Sequence, residues 1–369
     1  MSWRRWSETE LDAIDAAGLR RTITDFDARG PAGRLGGRDV VSFASNDYLG
    51  LTNHPAVVAA GHEALERWGA GSGAARLLVG ARPIHSELEK EIAGWKGTER
   101  ALLFPTGFAA NLGVLAALGA PDVLICSDRL NHASIVDGAR LSRAQVAVFP
   151  HRDAPALERI LAAHSGRTIV VSDVVFSMDG DEAPLEDLVA ASKKHNALLV
   201  LDEAHDVFER DIDLSGVEVL RVGTLSKFLG AAGGFVAGPG PLVDLLVNRA
   251  RSFIFTTATP PADAAAALAA LRIVRSDEGE RLRTRLRALI DRVAPGQTTP
   301  IVSMVVGDER AATAASAALL ARGVLVPAIR PPSVPPGTSR LRIALSAAHT
   351  DDQVDLLLGA LDEVVGVTT

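Results

Sequence analysis

The chain has 369 residues, of which 47% are hydrophobic and 22% charged, with a formal net charge of −7. That is the composition of a globular protein long enough for two domains, and no basic tract offers a surface for nucleic acid or an anionic membrane. Cys126 is the sole cysteine, which excludes an intrachain disulfide and a CxxC metal site.

The N-terminus, MSWRRWSETELDAID, is too charged for a signal peptide, and no apolar span of 18 residues follows, so the cytoplasm is the expected compartment. Residues 1–45 read as an N-terminal arm. Ser7 and Glu10 have capping-box spacing, with Leu11, Ile14 and Leu19 as one apolar face. A turn, SNDYLGL over Ser45 to Leu51, precedes a helix opened by Pro55. Gly69 to Gly73 is glycine-rich but lacks the order of a nucleotide loop. The next helix carries Leu88, Ile92 and Trp95 on one face and stops at Gly97.

From Ala101 apolar runs alternate with helical spacing. The runs are Ala101–Phe104, Val123–Cys126, Val146–Phe149, Ile169–Val171, Leu198–Leu201, Val217–Val222 and Phe235–Ala237. Stretches such as Ala109–Leu118 and Leu185–His195 lie between them. This alternation predicts an α/β fold with a mainly parallel sheet, the last run being a candidate antiparallel edge. After Pro261 come two Ala/Leu/Arg-rich helices to about Val293, strand candidates at Ile301–Val306 and Leu341–Leu345, and a rigid turn at RPPSVPPG. The expected division is an arm over 1–45, a large domain over 46–260 and a small C-terminal α+β domain over 261–369.

One stretch concentrates the chemistry: LLVLDEAHDVFERDIDLSGVEVLRVGTLSKFLGAAGG, from Leu198 to Gly234. Asp202 and His205 stand where one strand ends, and Lys227 stands just beyond the next. In an open α/β sheet ligands sit at the carboxyl ends of the strands, so an acid, an imidazole and a lysine converge there. DEAH also occurs in ATPases, but no phosphate-binding loop with its lysine accompanies it here, and no G-x-G-x-x-G is present for a nicotinamide. An aldehyde cofactor with a basic ring, pyridoxal phosphate, asks for a lysine and a carboxylate. Thr106 to Asn111, TGFAAN, opens a helix after a strand, a site for phosphate at free N–H groups.

These motifs, SNDYLGL, FSMDGD at Phe176 to Asp181, DEAH, TLSK and RPPSVPPGTSRLR, resemble in order those of the α-oxoamine synthases, a fold-type I pyridoxal-phosphate family, from about Leu19 to Leu361. The resemblance implies a large cofactor-binding domain with a small C-terminal domain, and a homodimer with shared sites. It implies that Lys227 is the Schiff-base lysine and the base at the substrate α-carbon. Asp202 pairs with the pyridine nitrogen, His205 with the phenolic oxygen, and His132 stacks on the ring and positions the acyl substrate. Gly107, Phe108, Ser177, Thr224 and, from the partner chain, Thr256 or Thr257 surround the cofactor. Arg342 holds the amino-acid carboxylate with Asn46, while Arg20 and Ser333 lie near the substrate. Strand alternation puts Arg340 on the same face as Arg342, and the residues alone do not choose between them. The last block is nearer to members that condense L-alanine with a pimeloyl thioester, on coenzyme A or a carrier protein, in biotin biosynthesis than to glycine-using members. One departure stands out. Where the family runs into a glycine-rich loop after DEAH, this chain has the shorter, acidic DVFERDID over Asp206 to Asp213.

Overall fold

The computed structural model describes residues 1–366. The chain forms two compact units, one of Leu49–Ser177 and Asp181–Arg283, the other of Met1–Tyr48, Met178–Gly180 and Thr284–Thr369. Residues 367–369, the end of the expected C-terminal domain, lie outside the described residues. The helix Pro261–Val274, assigned by its texture to the small domain, belongs to the larger unit. Its alanine-rich face packs on the helices Pro55–Trp68 and Pro83–Lys96. No helix among the described residues is long and apolar enough to cross a membrane.

The larger unit is built on seven strands: β1 Arg100–Phe104, β2 Val123–Asp128, β3 Gln145–Phe149, β4 Arg167–Asp173, β5 Leu198–Asp202, β6 Val219–Thr224 and β7 Gly234–Gly238, in the order β1-β7-β6-β5-β4-β2-β3. β2, β3, β4, β5 and β6 pair in parallel, and β7 is antiparallel to both neighbours. β7 is therefore antiparallel as expected but is not an edge: it lies between β1 and β6. Its five residues are all buried, and each face of the sheet there is covered.

β2, β4 and β5 are buried along almost their whole length, which is why they read as unbroken apolar runs rather than alternating ones. Ile125, Ile169, Val171, Val200 and Val222 form one core with Val114 and Leu115 of the helix Gly107–Leu118. Each such side chain contributes roughly 1.5–3 kcal/mol on burial. The helix Pro83–Lys96 buries Leu88 and Ile92 and ends at Gly97 in the left-handed region, as its spacing predicts.

In the smaller unit, Ser339–Ala344 is the central strand of a three-stranded antiparallel sheet, between Ile301–Gly307 and Ala328–Ile329. A second sheet joins Phe26–Ala28, Ala32–Leu35, Arg38–Ser42 and Val324–Leu325. The first helix, Trp3–Ala16, starts five residues earlier than the capping box at Ser7 suggests. Ser2 caps it by accepting the Arg5 N–H, and Ser7 instead donates to the Arg4 carbonyl inside the helix. Leu19 falls beyond its end, and the helix buries none of its residues in this chain.

Candidate active site

Five strands of the larger unit deliver polar residues to one end of the sheet. β1 leads into Thr106–Phe108, β2 into His132, β4 ends at Asp173, β5 ends at Asp202, and β6 ends at Thr224 with Lys227 three residues on. They line a cleft of about 210 Å³ together with Asn111, Ser134, His205 and Ser226. The parallel direction of these strands puts all their carboxyl ends on the same side, where the fold type places ligands.

Thr106 caps the helix Gly107–Leu118. Its hydroxyl accepts the Ala109 N–H at 3.0 Å and its carbonyl the Ala110 N–H at 3.1 Å. The N–H groups of Gly107 and Phe108 make no hydrogen bond among the described residues, and at a helix start they favour an anion. Gly234 permits the turn. A Cβ there would lie 2.4 Å from Gly107 N, so only glycine lets β7 approach this closely. Thr224 Oγ1 sits 3.0 Å from the Gly233 carbonyl and 2.7 Å from Ser226 Oγ.

Asp202 is 5% exposed. Its Oδ1 accepts the Ala204 N–H at 3.0 Å and its Oδ2 the Asn111 amide at 2.6 Å. Behind it, buried Glu203 is ion-paired with Lys96 at 2.8 Å and with Arg221. Burial alone would raise the Glu203 carboxyl, but Lys96 and Arg221 hold it below the usual range. Burial pushes the next acid, Asp206, up to about 6, with Glu203 adding to the rise.

His132 caps the helix Ala133–Leu141. Its backbone N–H donates to Asp173 Oδ2 at 2.7 Å. Burial lowers the proton affinity of its ring, Lys227 lowers it further, and Asp202 opposes both. The Asp173 carboxyl is held well above the usual range by burial and by the Asp202 charge. The loops on this side are tied by His151, whose ring lies 2.9 Å from Asp128 and 2.8 Å from Asp181. Although burial works against its charge, the two carboxylates push His151 up to about 9.

The cleft thus gathers Gly107, Phe108, His132, Asp202, His205, Thr224 and Lys227. Ser177 is not among its lining residues. Thr256 and Thr257 line a separate small cavity with Arg76 and Phe253. In the smaller unit, Asn46 Oδ1 accepts from Arg342 at 3.1 Å and from the Tyr48 hydroxyl at 3.0 Å, while Arg340 is ion-paired with Asp179. Burial pushes Tyr48 up to about 12 against the pull of Arg342. Arg20 faces Asp15 at 3.5 Å and Ser333 is exposed. Asn111, Ser134 and Asp173 carry no role in the sequence reading. Asp173 had a signal, since it ends an apolar run as Asp202 does.

The acidic stretch after DEAH is anchored within the same unit. Glu209 accepts from the Trp95 indole at 2.7 Å and meets Arg283 at 3.4 Å, and Arg210 pairs with Glu182. The residues of the cleft fit pyridoxal phosphate on three counts: two unused N–H groups for its phosphate, a buried carboxylate for its ring nitrogen, and a lysine for its aldehyde.

Comparison with known proteins agrees. The family Aminotransferase class I and II matches residues 38–361. The 8-amino-7-oxononanoate synthase of Anaeromyxobacter dehalogenans is 49% identical over 98% of this chain and 95% of its own. A solved structure of SPT with a PLP internal aldimine superposes with a TM-score of 0.90 at 30% identity, covering 98% of this chain and 97% of that one. The 8-amino-7-oxononanoate synthase of Francisella tularensis superposes with a TM-score of 0.71 at 25% identity, covering 89% of this chain and 98% of its own. The chain belongs to the class I and II aminotransferase family and, within it, to the 8-amino-7-oxononanoate synthases.

Proposed function

We propose that this chain condenses L-alanine with a pimeloyl thioester, on coenzyme A or a carrier protein, releasing CO2 and the free thiol and forming 8-amino-7-oxononanoate for biotin biosynthesis. The observation that carries the reading is the convergence of Lys227, Asp202, His205 and His132 on one cleft in a chain 49% identical to such a synthase.

Pyridoxal phosphate, when bound, supplies a carbonyl for an amine and a cationic ring that accepts the electrons of a carbanion. Asp202 holds a proton on the ring nitrogen, and Asn111 keeps that carboxylate in place. His205 binds the phenolic oxygen. The N–H groups of Gly107 and Phe108, with Thr224, Ser177 and Thr256 or Thr257 of the partner copy in a homodimer, hold the phosphate. Lys227 would hold the aldehyde of the cofactor, and its amine, once free, would take the α-proton of alanine. Arg342 and Asn46 hold the alanine carboxylate, a match of planar guanidinium to carboxylate. His132 orients the thioester, with Arg20 and Ser333 along the acyl chain. The cytoplasm supplies both substrates.

A second reading, condensation of another amino acid or acyl thioester, is favoured by one observation: the higher structural similarity to SPT, 0.90 against 0.71. The test is the visible spectrum with pyridoxal phosphate, before and after L-alanine, for the protein and Lys227→Ala, followed by thiol release from pimeloyl-CoA. A Lys227-dependent band that responds to alanine, then thiol release, supports the first reading. Response to serine or glycine with no release from pimeloyl-CoA supports the second. No Lys227-dependent band removes both.

A further inference from the structure

Asn111, 1% exposed, uses one amide nitrogen in two directions. Nδ2 lies 2.6 Å from Asp202 Oδ2 and 2.9 Å from Ser134 Oγ. An amide oxygen set against a carboxylate would be repelled, so the nitrogen end faces Asp202 and both its hydrogens are committed. Ser134 Oγ therefore receives one hydrogen bond and still has its own proton to give. The acceptor within reach is His132 Nδ1, at 2.7 Å. The Ser134 backbone N–H points at the same atom from 3.2 Å, and a backbone N–H can only donate. With two donors aimed at it, Nδ1 must present its lone pair, and the neutral ring carries its proton on Nε2.

We propose that Asn111 and Ser134 are positioning residues that hold His132 as a neutral imidazole protonated on Nε2, so that, under the synthase function proposed above, His132 meets the acyl thioester as a hydrogen-bond donor and not as a base. The chain of bonds runs from Asp202 through Asn111 and Ser134 to His132, and each direction in it follows from the one before. A donor aimed at a thioester carbonyl stabilises the negative charge that gathers on its oxygen as the carbon is attacked. Proton removal is left to Lys227. The charged and titratable groups around the ring are Asp202, Lys227, Asp137, Asp173 and His205. Burial and Lys227 favour the neutral ring, and Asp202 works the other way.

Nitrogen NMR of the histidine-labelled protein, before and after loading with pyridoxal phosphate and with His132→Gln to assign the signal, reads the tautomer directly. The expected result at neutral pH is an unprotonated Nδ1 and a protonated Nε2 in both states. In Ser134→Ala the second tautomer becomes populated, and kcat/KM for pimeloyl-CoA falls about tenfold with KM for alanine unchanged. Its acid limb moves to higher pH, because the lost hydroxyl had favoured the unprotonated Nδ1. Asn111→Ala, which lets the Ser134 hydroxyl turn, gives mixed tautomers by the same measurement. A proton on Nδ1 in the unaltered protein overturns the proposal, as does a Ser134→Ala spectrum and acid limb that do not move. Loss of the Lys227-dependent visible band or of thiol release, with the tautomer as expected, overturns the synthase function and leaves the bond chain standing.

Discussion

Lys96 Nζ lies 2.8 Å from Glu203 Oε2, with each side chain 3% exposed. Glu203 also carries Arg221, so this one carboxylate compensates two cations directly behind Asp202. Removing an acid from such a group strands its partners in a medium that solvates them poorly, whereas removing both members of a pair does not. Glu203→Leu is expected to lower stability by about 3–5 kcal/mol. Lys96→Met added to it should recover part of that loss. Urea unfolding of the two variants compares them, and equal losses would show that the pair is not coupled.

Gly234 decides how closely β7 approaches the turn at Thr106 and Gly107, the turn proposed to hold the phosphate. Gly234→Ala places a methyl against Gly107 N and the Thr106 carbonyl. Overpacking of this kind costs about 1–3 kcal/mol. The expected signature is weaker binding of pyridoxal phosphate out of proportion to the drop in Tm, measured by titration of the visible band. Unaltered cofactor affinity would place the phosphate elsewhere.

Lys227→Ala removes the group assigned to both the aldehyde and the α-proton. Activity should fall by at least about a hundredfold, with far-ultraviolet circular dichroism and Tm close to those of the parent. Near-normal turnover in that variant would sink the assignment.

Arg340 and Arg342 separate in the structure. Arg340 is committed to Asp179, and Arg342 to Asn46. Arg342→Ala should raise KM for alanine by roughly ten- to a hundredfold, the range for a lost hydrogen bond to a charged group. Arg340→Ala should act mainly on stability. The reverse pattern in steady-state kinetics would exchange their roles.

The pH dependence of the larger unit turns on His151. Its folded pKa is raised from 6.5 to about 9 by Asp128 and Asp181. The stabilisation is therefore complete below pH 6.5 and is lost as pH rises through 9. Over that window it is on the order of 3 kcal/mol. His151→Gln should flatten the decline of Tm between those limits, and an unchanged slope would assign the decline to another group.

The strands were legible because a sheet covered on both faces must be written as unbroken apolar runs, and β2, β4 and β5 are. The place of β7 was not, since order within a sheet is set by crossovers and not by any one strand's residues. Ser2 displaced Ser7 as the helix cap because a side chain free to accept lies one turn earlier. Asp202 and Lys227 announce themselves by standing at or just past strand ends, whereas His132 was marked only by the resemblance of its motif. Asn111 and Ser134 carry neither mark, because what sets them apart is the 2.6 Å and 2.9 Å contacts from Asn111 that bring distant segments together. The acidic run after His205 looked like a broken glycine loop for the same reason. The partners that accommodate it, Trp95, Glu182 and Arg283, are scattered along the chain.

Trp95 packs edge-on against Phe228, with ring centroids 6.3 Å apart, while its indole N–H holds Glu209 at 2.7 Å and Lys96 lies over its face at 3.6 Å. Phe228 is the neighbour of Lys227. The chain thus has a built-in fluorophore with one edge on the lysine's turn and the other on the acidic segment. Its emission, isolated by subtracting that of Trp95→Phe, reports in real time when either one shifts.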